Sequence, residues 1–310
     1  MSWKETYNYW NEYKELDETY KEQLSQMTPE ELEDCFYKYI DFGTGGMRGV
    51  LGPGTNRLNK YIIRRANWGY AEYLNFHVEN AAEKGVVIAY DNRHFSYEFA
   101  FDSAKLLASK GIKVYLFKSI TPTPELSFAV RELKAAGGIV ITASHNPPQY
   151  NGYKLYNETG CQLIPKETEL VSQYIYNAPK EFDIKIDDDK DYNSLINFVG
   201  EEIDEKYISS VKKLSIYSSL NKKKYKIVFS PQHGTSYKAI KKLLEDEGYN
   251  LILVKEQCSP DPNFSFTKSP NPEDESAYEL ALEYASANDA DMIITTDPDA
   301  DRVGVAVKNG

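Results

Sequence analysis

The chain has 310 residues, enough for about two domains, and its 41% hydrophobic and 27% charged residues describe a globular protein with apolar material for buried sheets. A net charge of −11 repels nucleic acid and anionic membrane overall, so a phosphorylated ligand has to be met by a local cluster of Arg and Lys. No stretch approaches the roughly 18 to 20 apolar residues of a membrane span, and the start, Met1-Ser2-Trp3-Lys4-Glu5, has no apolar signal core, so a cytoplasmic protein is expected.

From Trp3 to about Gln26, aromatic and aliphatic residues recur at helical spacing among many charges. Thr28-Pro29-Glu30-Glu31 then restarts a short helix with an N-cap and Pro at its first position. This predicts a helical arm over residues 1–40. Glycine punctuation follows from Asp41 to Gly54, then a helical pattern from Ile62 to Glu83. Strand-like runs come next at Val86 to Tyr90, Lys113 to Phe117, Gly138 to Thr142 and Tyr153 to Tyr156, with helical patterns between the first three. The acidic, weakly periodic stretch from Ala178 to Asn197, including Asp187-Asp188-Asp189, reads as a connection between domains. A second series repeats the plan. It has helices near Glu201 to Leu214, Ser236 to Glu247 and Glu273 to Asn288, and strands at Tyr225 to Ser230, Asn250 to Lys255, Asp291 to Thr296 and Val303 to Val307. The expected fold is therefore two consecutive α/β domains with mixed, mainly parallel sheets flanked by helices, over 41–195 and 200–310.

In open α/β sheets, ligands gather beyond the carboxyl ends of the strands. Two loops lie there. Thr142-Ala143-Ser144-His145-Asn146-Pro147 offers one hydroxyl on a Pro-stopped turn. Asp297-Pro298-Asp299-Ala300-Asp301-Arg302 offers carboxylates at alternate positions, a spacing that converges oxygens on a hard cation. An EF-hand would need Gly and Glu where Arg302 and Lys308 stand. A serine hydrolase would need a Gly-X-Ser-X-Gly elbow, which is absent. Cys35, Cys161 and Cys258 form no Cys-X-X-Cys pair and support neither a disulfide framework nor a zinc site. The segment Gly43-Thr44-Gly45-Gly46-Met47-Arg48-Gly49 fits neither a dinucleotide fingerprint nor a P-loop. It reads equally as a flexible turn and as a backbone cradle presenting Arg48 to a phosphate.

These residues carry a resemblance. The run Thr142 to Pro148, Asn151-Gly152-Tyr153-Lys154, Thr159-Gly160 and Asp297 to Arg302 together resemble the α-D-phosphohexomutase family of phosphoglucomutases and phosphomannomutases. Phe42 to Gly49 looks most like its phosphoglucomutase and phosphopentomutase branch. The resemblance implies that Ser144 carries the phosphoryl group and that Asp297, Asp299 and Asp301, together with the Ser144 oxygen, hold Mg²⁺. It also implies that Lys154 moves a proton at the reacting sugar hydroxyl, with His145 as helper, and that Arg48 and Arg302 steady the moving phosphate. Three Asp and a phosphoserine bring about −5, which Mg²⁺, Arg48, Lys154 and Arg302 return as about +5. His233-Gly234 reads as a turn former.

The implied reaction interconverts hexose 1-phosphate and hexose 6-phosphate through a hexose 1,6-bisphosphate. Phosphopentomutase or phosphomannomutase activity is the alternative, and a non-catalytic module binding a phosphosugar or a partner chain is the alternative of another class. The family has four domains, the third supplying sugar selectivity and the fourth binding the other phosphate. This chain is expected to hold the first two and to lack full activity alone. The expected partner is a small sugar phosphate, with no nucleic acid and no membrane. Oligomeric state is not legible in the sequence.

Overall fold

The computed structural model describes residues 2–187, 190–192, 194–216 and 220–309. Three helices begin the chain: α1 (Trp3–Asn11), α2 (Glu18–Gln26) and α3 (Pro29–Phe36). Their starts are chemically specified. Ser2 with Glu5, and Thr28 with Glu31, form reciprocal caps that satisfy amides left free at a helix beginning, and Pro29 stands at the first turn of α3. The aromatic face of this arm packs on the chain itself. Trp10 is fully buried in edge-to-face contact with Phe36 and Tyr61, and its indole N–H donates to Glu181 Oε1 at 2.5 Å. Tyr39 donates to the other oxygen of that carboxylate at 2.9 Å.

The first α/β unit follows: β1 (Gly46–Val50), α4 (Lys60–His77), α5 (Ala81–Lys84), β2 (Val86–Tyr90), α6 (Ser96–Ser109), β3 (Val114–Phe117), α7 (Thr123–Glu132), β4 (Gly137–Ile141), β5 (Tyr150–Asn157), α8 (Pro165–Tyr176) and β6 (Ile196–Val199). The strand order is β1-β5-β4-β2-β3-β6. Strands β2, β3, β4 and β6 run parallel, and β5 and β1 add an antiparallel edge. The central strands β2 and β4 are buried at every residue, as expected for parallel strands covered on both faces.

The second unit contains α9 (Glu201–Lys212), β7 (Lys226–Ser230), α10 (Tyr237–Asp246), β8 (Asn250–Leu253), α11 (Glu279–Asn288), β9 (Met292–Thr296) and β10 (Val303–Val307). Its order is β10-β9-β7-β8, parallel except for the β10 edge. The mixed, mainly parallel α/β reading is thus correct.

Three local readings differ. Half of the glycine-rich segment is a strand, because Gly46 to Val50 pairs with Tyr150 to Lys154. The stretch read as a connection supplies the edge strand β6 through Ile196, where Asn197 opposes Tyr115 on β3. Its Asp188 and Asp189 lie outside the described residues. Helix α8, unread in the sequence, starts at Pro165 with Glu167 accepting from the Ile164 amide. Among the described residues no helix is long and apolar enough to cross a membrane.

Helices α7 and α9 meet where the two units join, and there Glu125 is buried, its Oε1 without a hydrogen-bond partner among the described residues. Burial, reinforced by a hydrogen bond to Asp204, pushes its carboxyl up to about 8. A raised carboxyl stabilises the fold fully below its unfolded value and loses that contribution as pH rises through the folded one. Glu125→Gln should therefore gain stability over the parent between about pH 5 and about pH 8, by on the order of 2 kcal/mol, in denaturant titrations at each pH.

Candidate functional site

The carboxyl ends of the two sheets face each other across the junction. Strand β4 ends at Ile141 and β9 at Thr296. The loops that follow place Ser144 Oγ 2.6 Å from Asp297 Oδ2, with the hydroxyl donating. Ser144 has φ +53°, a left-handed conformation uncommon outside glycine, and its amide donates to Thr142 Oγ1 at 2.8 Å. Gly152 on β5 lets the strand pass this loop, since a Cβ there would stand 2.4 Å from the Thr142 carbonyl oxygen.

The acidic loop is tightly wound. The Arg302 amide donates to Asp297 Oδ1 at 3.0 Å, the Ala300 amide donates to the Asp297 carbonyl at 3.0 Å, and Ala300 has φ +59°. Asp297 and Asp299 are fully buried and Asp301 is exposed, yet one oxygen from each lies within 4.8 Å of the others. Thr123, at the start of α7, ties this loop to the first unit: its amide donates to the Asp299 carbonyl at 2.8 Å and its hydroxyl to Asp299 Oδ2 at 2.9 Å.

Lys154 projects from β5 between the loops, donating to Asp299 Oδ2 at 2.8 Å and Asp301 Oδ2 at 3.0 Å. Burial opposes its charge, but Asp299 and Asp301 more than offset this and hold the ammonium above the ordinary lysine pKa. Burial and the Asp299 charge push Asp297 above the usual carboxylate range. Burial likewise penalises charged Asp299, but Lys154 and the hydrogen bonds it receives outweigh that and keep it ionised. Three carboxylates brought together this closely hold a proton unless a cation relieves them.

The remaining expected residues gather around the same point. His145 Nδ1 lies 3.1 Å from Ser144 Oγ, and burial, with Arg302 and Arg48 nearby, depresses its pKa, favouring the neutral ring. Arg48 donates to Asn146 Oδ1 at 2.7 Å, and Arg302 pairs with Glu273 at 2.9 Å. Arg48, Ser144, Lys154 and Arg302 line one cleft of about 560 Å³, together with Thr44 and Gln162. His233 does build a turn: Gln232 and His233 both have positive φ, and His233 Nδ1 lies 2.9 Å from the Ser259 carbonyl.

Sequence reasoning missed Asp91 and Arg93, although Asp91-Asn92-Arg93 follows the fully buried strand β2 as the other loops follow theirs. Arg93 is buried beneath the serine loop, and its guanidinium donates to the carbonyls of Ser144, Asn146, Pro147 and Tyr150 at 2.5 to 3.0 Å. Asp91 accepts from the Arg93 amide and from Ser96 Oγ and lies 3.3 Å from Arg93 Nε.

Gly234 meets the acidic loop where a Cβ would stand 2.4 Å from Pro298 Cα and O, and the next amide, of Thr235, donates to the Pro298 carbonyl at 2.8 Å. Gly234→Ala has to displace that backbone. It should cost about 1 to 3 kcal/mol in chemical denaturation and weaken Mn²⁺ binding measured by titration calorimetry.

Residues 40–181 match the family described as phosphoglucomutase/phosphomannomutase, alpha/beta/alpha domain I, and residues 205–310 match domain II of that family. A phosphoglucomutase of Staphylococcus aureus (strain bovine RF122 / ET3-1) is 42% identical over 291 residues, which cover 94% of this chain and 52% of the relative. That of strain MRSA252 is 42% identical over 294 residues, with the same coverage. The chain thus spans about half the length of the curated relatives it matches. Among solved structures, a Thermus thermophilus protein assigned as a phosphomannomutase superposes with a TM-score of 0.73 at 28% identity, over 86% of this chain and 57% of the other. A phosphoglucomutase/phosphomannomutase family protein from Burkholderia thailandensis shares the fold, with a TM-score of 0.68 at 22% identity over 87% and 55%. With the serine loop inside the first domain match and the acidic loop inside the second, the chain belongs to the phosphoglucomutase/phosphomannomutase family, the α-D-phosphohexomutases.

Proposed function

We propose that these residues are the phosphoserine- and metal-bearing half-site of a phosphoglucomutase-type enzyme interconverting hexose 1-phosphate and hexose 6-phosphate. The observation that carries this reading is the 2.6 Å approach of Ser144 Oγ to Asp297 beside the buried ammonium of Lys154. The name of the Staphylococcus aureus relatives favours glucose phosphates as substrate. Free cysteines, one of them exposed, fit a reducing, cytoplasmic setting. The chain divides into a helical arm over 1–40, a first domain that runs from 41 through its edge strand β6 to 199, and a second domain over 200–310.

The donor set suits a hard divalent cation. It is all oxygen, it converges, and Asp299 Oδ1 is buried without a hydrogen-bond partner among the described residues. Asp297, Asp299, Asp301 and the Ser144 oxygen would hold Mg²⁺, which when bound supplies Lewis-acid stabilisation of charge on a phosphoryl group.

In the proposed transfer, the Ser144 oxygen forms a bond to phosphorus as the phosphorus–oxygen bond of a hexose 1,6-bisphosphate breaks, and the serine proton ends on the departing sugar oxygen. Lys154, held as an ammonium on the cleft wall by Asp299 and Asp301, gives its proton to the departing sugar oxygen and is restored by the proton that leaves the serine. His145, neutral and within reach of Ser144 Oγ, orients the hydroxyl. Arg48 and Arg302 leave their present partners, Asn146 and the half-exposed Glu273 pair, to meet the phosphate. Reversal of these steps onto the other sugar hydroxyl completes the interconversion.

Incubated with Mg²⁺ and glucose 1,6-bisphosphate, the 310-residue chain should gain one phosphate on Ser144 by intact-mass and peptide spectrometry. Ser144→Ala should gain none, and Lys154→Met should gain it on the order of 10² to 10⁴ times more slowly. A parent protein that never acquires phosphate would overturn the reading.

A further inference from the structure

The serine loop and the acidic loop are joined by a second route that avoids the cleft. The turn after β2 reaches the second unit through three contacts with the loop Asp261 to Phe266. Asn92 Nδ2 donates to the Asp261 carbonyl at 2.8 Å, His94 Nε2 lies 2.9 Å from Asn263 Oδ1, and the Phe264 ring covers the Arg93 guanidinium at 5.0 Å. Phe264 is itself buried and held at φ +53°. Its loop is closed on Asp261, which accepts from the Asn263 and Ser265 amides, and it is fastened to the base of the acidic loop. The Phe266 amide donates to His233 Nε2 at 3.3 Å, and the neighbouring Gly234 and Thr235 rest on Pro298.

Arg93 touches both sides of this route. Its terminal nitrogens donate to four carbonyls of residues 144–150, so the edge of the guanidinium shapes the loop that holds Ser144 in its left-handed conformation. Its flat face lies under a ring from the second unit. We propose that Arg93 and Phe264 form an interdomain clamp, a pair of positioning residues that sets the Ser144 hydroxyl at its working distance from the carboxylates. The inference rests on the phosphoserine reading above. A guanidinium is suited to this because its planar fork directs several fixed donors while its face stays free for an aromatic ring, which a lysine ammonium cannot reproduce. The clamp acts on the serine side. The three carboxylates are built on the second unit and keep their convergence without it.

The test uses the full 310-residue chain with Arg93→Lys, which keeps the charge, and Phe264→Leu, which keeps the apolar burial. Phosphoryl uptake by Ser144 from glucose 1,6-bisphosphate should slow at least about tenfold in both, while the three aspartates still bind Mn²⁺. Amide hydrogen exchange over residues 142–150 should quicken at least about tenfold in Phe264→Leu, a substitution in the other unit, with strand β2 unchanged. A purely structural role predicts a lower melting temperature with uptake by the folded protein unaltered, and that result overturns the clamp. If the parent takes up no phosphate, the proposed function fails. The exchange comparison then still decides this inference, and unchanged protection of residues 142–150 in Phe264→Leu sinks it.

Discussion

The hydrogen bond from Ser144 to Asp297 joins residues 153 positions apart, from the ends of strands in different sheets. Everything around it serves to hold one hydroxyl and a set of carboxylates at a distance that neither sheet could fix alone. On one side, β4 delivers the serine loop and Arg93 threads beneath it. On the other, β9 delivers the aspartates, and Thr123 reaches across from the first unit to hold Asp299. The site is therefore a property of the junction, and the parallel sheets supply it because their carboxyl ends leave loops free to meet.

That junction is electrostatically expensive. Two of the three aspartates are buried, and a buried charge needs a partner. Lys154 supplies one by donating to Asp299 and Asp301, and Asp297 retains a proton more readily than an ordinary carboxyl. One carboxylate oxygen, Asp299 Oδ1, remains without a hydrogen-bond partner among the described residues. A protein that only needed a stable fold would gain by replacing such a cluster with apolar side chains. The arrangement makes sense as a receptor for positive charge, and the cleft beside it, walled by Arg48 and Arg302, as a receptor for negative charge.

Much of this was readable from residues alone, for identifiable reasons. Strands β2, β4, β7 and β9 announce themselves as short apolar runs, and the loops after β4 and β9 carry the unusual serine turn and alternating aspartates. The antiparallel edge strand β1 was obscured by its glycines, of which Gly46 lets it lie close along β5. Strand β6 was hidden because it is short, half-exposed and embedded in an acidic stretch. Arg93 left no periodic signal. Its importance comes from backbone carbonyls more than 50 positions away and from Phe264 in the other unit, which only the folded chain brings together. The anchoring of the arm is similar, since the Trp10 bond to Glu181 spans 171 positions.

The account depends on the two loops sharing a single cation. Crystals grown with Mn²⁺ and measured at the manganese absorption edge would test this directly. The account predicts one anomalous peak within bonding distance of Asp297, Asp299 and Asp301 and of the Ser144 side-chain oxygen. A peak elsewhere, or an aspartate trio that stays metal-free at saturating Mn²⁺ with Lys154 as its sole cation, would contradict it.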